Sequence, residues 1–213
     1  MVAGRARVTD PTFEPIHTLA DGTRVRLDLI GPRDRNDLVA GFTGLSRRSR
    51  YLRFFSAMPN LPGPLLDSLL NTDADHHVAI GARLLDADGR AAAPIVGVAR
   101  YFRVTDAAPD TVEPAVAVVD SLHGRGLGRL LLKAMTRHAR SRGITKMRAH
   151  ALADNARIRQ ILAASRAVLV ERDGPVMVYD VDIRSRKRRD SLVELGMMYR
   201  ETNGAASPKI GDR

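Results

Sequence analysis

The stretch Asp120–Met135, DSLHGRGLGRLLLKAM, places Gly124, Gly126 and Gly128 directly ahead of a leucine-rich helical pattern. Glycine adopts positive φ without a Cβ penalty and lets other groups approach the backbone, so the spacing predicts a tight turn. Before the turn, Ala115–Val119 (AVAVV) is apolar at every position, the pattern of a strand covered on both faces. After it, Leu127, Leu130, Leu131, Ala134 and Met135 recur at helical spacing, with Arg129, Lys133, Arg137 and Arg140 opposite them, and Gly143 ends the helix. A buried strand, a glycine turn and a basic amphipathic helix in sequence predict an α/β (α+β) fold.

The turn also suggests a chemistry. The first amides of a helix have no intrahelical acceptor and lie at its positive end, so a glycine turn leading into one suits a phosphate. Two common phosphate motifs do not fit. A GxGxxG fingerprint needs glycine where Arg129 stands and an acidic residue about 20 positions on, whereas the next acidic residue is Asp154. A P-loop needs Gly-Lys followed by Ser or Thr, which is absent. On the turn alone, a ligand-free strand-to-helix crossover stays open.

The rest of the chain supplies a sheet. Arg24–Ile30 alternates as a half-buried strand, Gly31-Pro32 stops it, and Pro32 opens a helix over Asp34–Phe42. Leu65–Leu70 reads as a short helix, and His77–Leu85 and Ile95–Val104 as a hairpin around Asp86–Pro94. Lys146–Leu152 reads as a strand, Asn155–Ser165 as a helix, and Val168–Val170 and Val176–Ile183 as two strands around Asp173-Gly174-Pro175. The expected organisation is an N-terminal arm over 1–22, one domain over 23–183 with a mixed, mainly antiparallel sheet and helices on both faces, and a basic tail over 184–213.

Composition removes several function classes. The chain has no cysteine, which excludes disulfides, thiolate zinc sites and a cysteine nucleophile. It contains no GxSxG or HExxH and no apolar run long enough to span a bilayer, so a cytoplasmic protein without a membrane partner is expected. Asp73, Asp75, His76 and His77 do not make a metal site, because adjacent histidines entering a strand point to opposite faces; no metal is assigned. The formal charge of +10 favours partners bearing phosphate or carboxylate.

His123-Gly124-Arg125-Gly126-Leu127-Gly128, in this setting, resembles the acyl-CoA pyrophosphate loop of the GNAT acyltransferase superfamily, written Q/R-x-x-G-x-G/A, with His123 where that family prefers Gln or Arg. The resemblance covers about residues 23–183. It implies acetyl-CoA as co-substrate, held by His123, Gly124, Arg125, Gly126, Leu127, Gly128 and Arg129. The pantetheine arm would enter a splay between two central strands, along the main chain of Val116, Ala117 and Val118. Asn155 would lie near the pantetheine; it is equally suited to capping a helix.

Glu113-Pro114-Ala115-Val116 resembles the start of this strand in the branch that includes bacterial protein-lysine acetyltransferases, which implies Glu113 as general base. Pro114 forces Glu113 into extended backbone and gives up a sheet donor, as suits the mouth of a splay. LSRRSRYLRFF resembles the same branch through Ser46, Ser49, Tyr51, Arg53, Phe54 and Phe55. Two family features are missing: no tyrosine stands in Ile158–Ala164, and Ser165-Arg166-Ala167 replaces a Gly-aromatic step. The leaving thiolate therefore has no assigned acid.

The expected activity is acetyl transfer from acetyl-CoA to an amine, a protein lysine above others, directly within a ternary complex. A catalytically degenerate acyl-CoA sensor or scaffold is the alternative. Nucleic-acid binding rests only on net charge and the run Arg184–Arg189, which lacks interleaved aromatics and reads first as a solvated tail. By length, no separate regulatory nucleotide-binding domain is expected.

Overall fold

A computed structural model of the chain describes residues 10–184 apart from 74, 93, 105 and 106. Eight strands form one sheet in the order β1-β2-β3-β4-β5-β6-β8-β7. They are β1 (Ile16–Thr18), β2 (Arg24–Leu29), β3 (His77–Leu84), β4 (Gly97–Arg103), β5 (Thr111–Val118), β6 (Lys146–Leu152), β7 (Val168–Asp173) and β8 (Val176–Asp182). Every neighbouring pair is antiparallel except β5 and β6, so the sheet is mixed and mainly antiparallel as expected.

The helices divide between the two faces. On one, α4 (Leu127–Ser141) and α5 (Ala156–Ala164) cover the larger core, in which Leu127, Leu131 and Met135 of α4 pack with Leu27, Ile80 and Tyr101 of the strands. On the other, α1 (Arg35–Thr43), α2 (Arg47–Phe54) and α3 (Gly63–Leu70) lie over β3 to β5, with Leu38, Leu66, Leu69 and Leu70 packed on Ala79 and Ile95. Gly41 marks a close approach in this layer, since a Cβ there would run into the Ile95 carbonyl. A short 3-10 turn, Pro32–Asp34, precedes α1. Its Asp34 and the first-turn Asp37 hold the buried Arg83 guanidinium at 2.7 and 2.9 Å.

Two parts differ from the sequence expectation. Residues 10–22, read as part of an arm, contribute β1 and the core side chains Phe13 and Leu19. Three strand residues in a segment of mixed composition have no period to read, and pairing with β2 is what makes them a strand. The central strand begins at Thr111, takes in Glu113, and is only half-buried over Val116–Val118 despite its apolar sequence. The reason is the site described below, which opens one edge of β5. Residues 1–9 and the tail beyond Arg184 lie outside the described residues.

The segment before β1 is tied to α4 through a buried polar chain. Tyr101 Oη lies 3.0 Å from His138 Nδ1, and His138 Nε2 lies 3.2 Å from Asp10 Oδ2. Burial pulls the fully enclosed His138 below its usual value, a shift that Asp10 only partly offsets. Burial also pulls down His77, with the Arg100 charge adding to the shift. The unfolded chain therefore takes up protons near pH 6.5 that the folded chain refuses. Stability is fully present above that pH and falls as the pH drops below it, by up to about 1.4 kcal/mol per pH unit for each histidine. Denaturant unfolding near neutrality and near pH 5.5 is expected to show this loss, and His138→Gln is expected to reduce it by about half. An unchanged pH dependence in the variant would rule His138 out as a source.

Candidate active site

The glycine turn closes on the start of α4. Gly126 precedes the helix at φ +91° and Gly124 sits at φ +76°, both in the left-handed region that favours glycine. The Gly126 carbonyl accepts the Leu130 N–H at 3.0 Å, the first bond of α4. The amides of Leu127, Gly128 and Arg129 lie ahead of that bond, and no side chain caps the helix. Leu127 is fully buried and anchors the turn by its side chain. A Cβ on Gly124 or Gly126 would meet only open space, so the outer side of the turn is accessible. Arg125 pairs with Asp21 of the β1–β2 turn at 3.2 Å, and Arg129 is half-buried on the first turn of α4.

The strand leading to this turn parts from its neighbour. β5 and β6 are paired only at Thr111↔Lys146 and Val112↔Met147, so from Glu113 onward they splay. The Val119 N–H donates to the Val96 carbonyl at 3.0 Å. Because main-chain groups alternate sides along a strand, residues 113, 115 and 117 also direct theirs to β4, and 114, 116 and 118 direct theirs into the splay. Val116 and Val118 thus face the opening with their peptide groups. Ala117, grouped with them from the sequence, turns its peptide to β4 and its methyl to a pocket wall. Pro114 falls on the splay side, where its missing N–H removes no bond of the β4 ladder. His123, exposed, reaches back with Nε2 2.8 Å from the Val118 carbonyl, so the histidine that replaces Gln or Arg holds the turn against the end of β5.

Glu113 lies at the mouth of the splay. It shares a row across the sheet with Phe102 and His77, whose rings stack at 4.0 Å. Its carboxylate is 48% exposed and lies 3.6 Å from His150 Nδ1 on the far strand of the splay. His150 Nδ1 makes no hydrogen bond, which leaves it aimed at Glu113. Arg53 of α2 acts on the same carboxylate: burial lowers its guanidinium and the Glu113 charge opposes the shift. His150 was not singled out from the sequence. The signal was present in Lys146, Arg148 and His150, which alternate with Met147, Ala149 and Ala151 and so fall on one face of β6.

On the face that carries Glu113, α1, α2, β4 and β5 line a pocket that opens to solvent. Phe42, Phe54, Val98 and Ala117 are among its walls, and among the described residues Arg53 and Arg100 are its only charged lining residues. Ser46 and Ser49, seen from the sequence only as part of a pattern, anchor the α2 wall. Ser46 Oγ accepts the Ser49 N–H at 3.1 Å as the helix cap. Asp120, just ahead of the glycine turn, accepts from the Ser46 N–H at 2.8 Å and from Ser49 Oγ at 3.0 Å. Burial raises the Asp120 carboxyl, but these bonds outweigh it and hold the group below its usual value.

Asn155 caps α5, its Oδ1 accepting the Ile158 N–H at 3.2 Å. Asp73 likewise organises a turn, its carboxylate accepting the amides of Asp75, His76 and His77, while His76 is exposed and His77 buried.

Residues 41–162 match the acetyltransferase (GNAT) family. Over 153 residues, 71% of its length, the chain is 31% identical to Acetyltransferase Pat of Mycolicibacterium smegmatis, of which it spans 44%. The chain thus spans less than half of that relative. It is 28% identical over 149 residues, 70% of its length, to Acetyltransferase PA5475 of Pseudomonas aeruginosa, of which it covers 77%. The fold is that of the GNAT domain of S. lividans PAT, with a TM-score of 0.72 at 24% identity over 82% of this chain and 99% of that one. The family match runs from α1 into α5 and holds the glycine turn, the splay and Glu113 within it, and on that ground the chain belongs to the acetyltransferase (GNAT) family.

Proposed function

We propose that the chain moves an acetyl group from acetyl-CoA to an amine, with a protein lysine as the acceptor, by direct attack in a ternary complex. The observation that carries this reading is the start of α4, where no side chain caps the helix and the amides of Leu127 and Gly128 follow the left-handed Gly126 beside the parted end of β5. These amides suit a pyrophosphate, with Gly124, His123, Arg125 and Arg129 around it. The peptide groups of Val116 and Val118 suit the amides of a pantetheine arm in the splay, and the side chain of Asn155 retains an amide nitrogen beyond its capping oxygen.

In the reaction the amine nitrogen attacks the thioester carbonyl, a C–N bond forms, and the C–S bond breaks. Glu113 takes the proton from the attacking nitrogen, directly or through one water. His150, across the splay, orients Glu113 and offers the proton a path away. The thiolate leaves as a fairly stable anion, since a thiol is already acidic, so the lack of a tyrosine in α5 does not block the step. Lysine is taken as the acceptor because Glu113-Pro114-Ala115-Val116 and LSRRSRYLRFF resemble the branch that includes bacterial protein-lysine acetyltransferases.

Steady-state thiol release with a panel of amines, run beside an acetyl-CoA binding isotherm on the full chain, tests the reading. Binding accompanied by acceptor-dependent thiol release is expected. Binding without release for any amine would instead support an acyl-CoA sensor.

A further inference from the structure

The pocket on the Glu113 face ends on a positive charge that acetyl transfer does not use. Arg100, in the middle of β4, is only 3% exposed. Its Nη1 donates to the Leu69 carbonyl at 2.8 Å and lies 3.3 Å from His77 Nε2. His77 Nδ1 sits 2.9 Å from the Asn71 carbonyl, which can only accept, so Nδ1 carries the ring proton and Nε2 is left as the acceptor. Neither partner of Arg100 is an anion, and among the described residues no carboxylate forms an ion pair with it. Burial pushes its guanidinium down to about 9, and the neighbouring Arg53 charge pushes the same way.

Arg83 on β3 shows what the fold does with a structural buried arginine. It is equally enclosed and is held by two carboxylates, Asp34 and Asp37. Arg100 has no such counter-charge, and the pocket it lines brings a second guanidinium, Arg53, to the same space among otherwise apolar walls. Arg53 faces Glu113 on one side and Arg100 on the other. A buried cation without an anion is costly, and a guanidinium fork matches a carboxylate better than any other common anion-binding side chain does.

We propose that this pocket binds a carboxylate borne on a short apolar stem, with Arg100 and Arg53 at its anionic end. The proposal rests on the acyl-transfer reading above. The carboxylate has two possible sources in acyl transfer: the far end of a dicarboxylic acyl thioester used in place of acetyl-CoA, or the carboxyl group of an amino-acid-like amine used in place of a protein lysine.

Two pairs of ligands separate these sources on the full chain. Succinyl-CoA is compared with butyryl-CoA, and acetyl transfer to leucine is compared with transfer to leucinamide, with plain CoA as the reference ligand. The carboxylate member of one pair is expected to win by about tenfold or more in Kd or KM. The pair that discriminates identifies the source. Arg100→Met and Arg53→Gln are each expected to abolish the preference while plain CoA binds as before. Arg100→Lys, which keeps the charge but loses the fork, is expected to keep part of it and covers the case in which the methionine variant fails to fold. Equal use of both members of both pairs, with CoA still bound, overturns this inference and leaves acetyl transfer standing. A preference that survives in the folded arginine variants overturns it as well, and failure of plain CoA to bind overturns both readings together.

Discussion

Glu113→Gln is expected to keep the fold and the affinity for acetyl-CoA and to lower kcat by about 10² to 10⁴. A lysine amine has a pKa near 10.4, so at neutral pH only about one molecule in a thousand is free base, and a positioned base makes the difference. Glutamine is nearly isosteric and cannot take the proton. Its amide is expected to keep the contacts at the mouth of the splay with Phe102 and His150, so circular dichroism and CoA titration are expected to match the wild type. The loss is expected to be greatest where the acceptor is mostly protonated and to shrink as the pH approaches that of the free amine. Equal rates for the two proteins between about pH 6 and about pH 9 would remove Glu113 from the proton path. His150, 3.6 Å away, is the next group to test.

Gly126→Val is expected to abolish acetyl-CoA binding, by about a hundredfold or more. Hydrogen bonds to a charged group contribute about 1.5–3 kcal/mol each, and the turn offers the amides of Leu127 and Gly128. At φ +91° a β-branched residue is strained, and its side chain would fill the open space beside the start of α4. Gly143, at φ +75° just beyond the other end of α4, supplies the control. Gly143→Val carries comparable backbone strain far from the turn and is expected to lower stability while leaving CoA affinity in place. If both variants lost affinity to the same degree, destabilised α4 rather than a blocked turn would be the cause.

The glycine turn and α4 were readable because two periodicities meet there: an unbroken apolar strand and a helical leucine stripe with glycines between them. Glu113 stood out only through the resemblance of its strand to a known branch, with Pro114 adding that its neighbour's backbone is extended at the strand mouth. β1 was not, since three residues in a charged segment have no period. α2 was visible only as a sequence pattern, because RRSRYLRF buries no residue completely and carries no apolar stripe. Arg100 was hidden for a different reason. In GVARYFR it looks like any arginine in a strand, and its burial depends on the register that places it opposite Ala79 and Ala115 beneath α3. The division of labour along β5, with Val116 and Val118 facing the splay and Ala117 facing the pocket, likewise depends on which neighbour a strand keeps and which it leaves.

Intact-mass spectrometry of a lysine-containing peptide incubated with acetyl-CoA and the full chain tests the central claim most directly. The expected result is a mass increase of one acetyl group on the lysine, dependent on the protein and lost with both Glu113→Gln and Gly126→Val. Acetylation at the same rate with and without the protein, across acceptors, would contradict it.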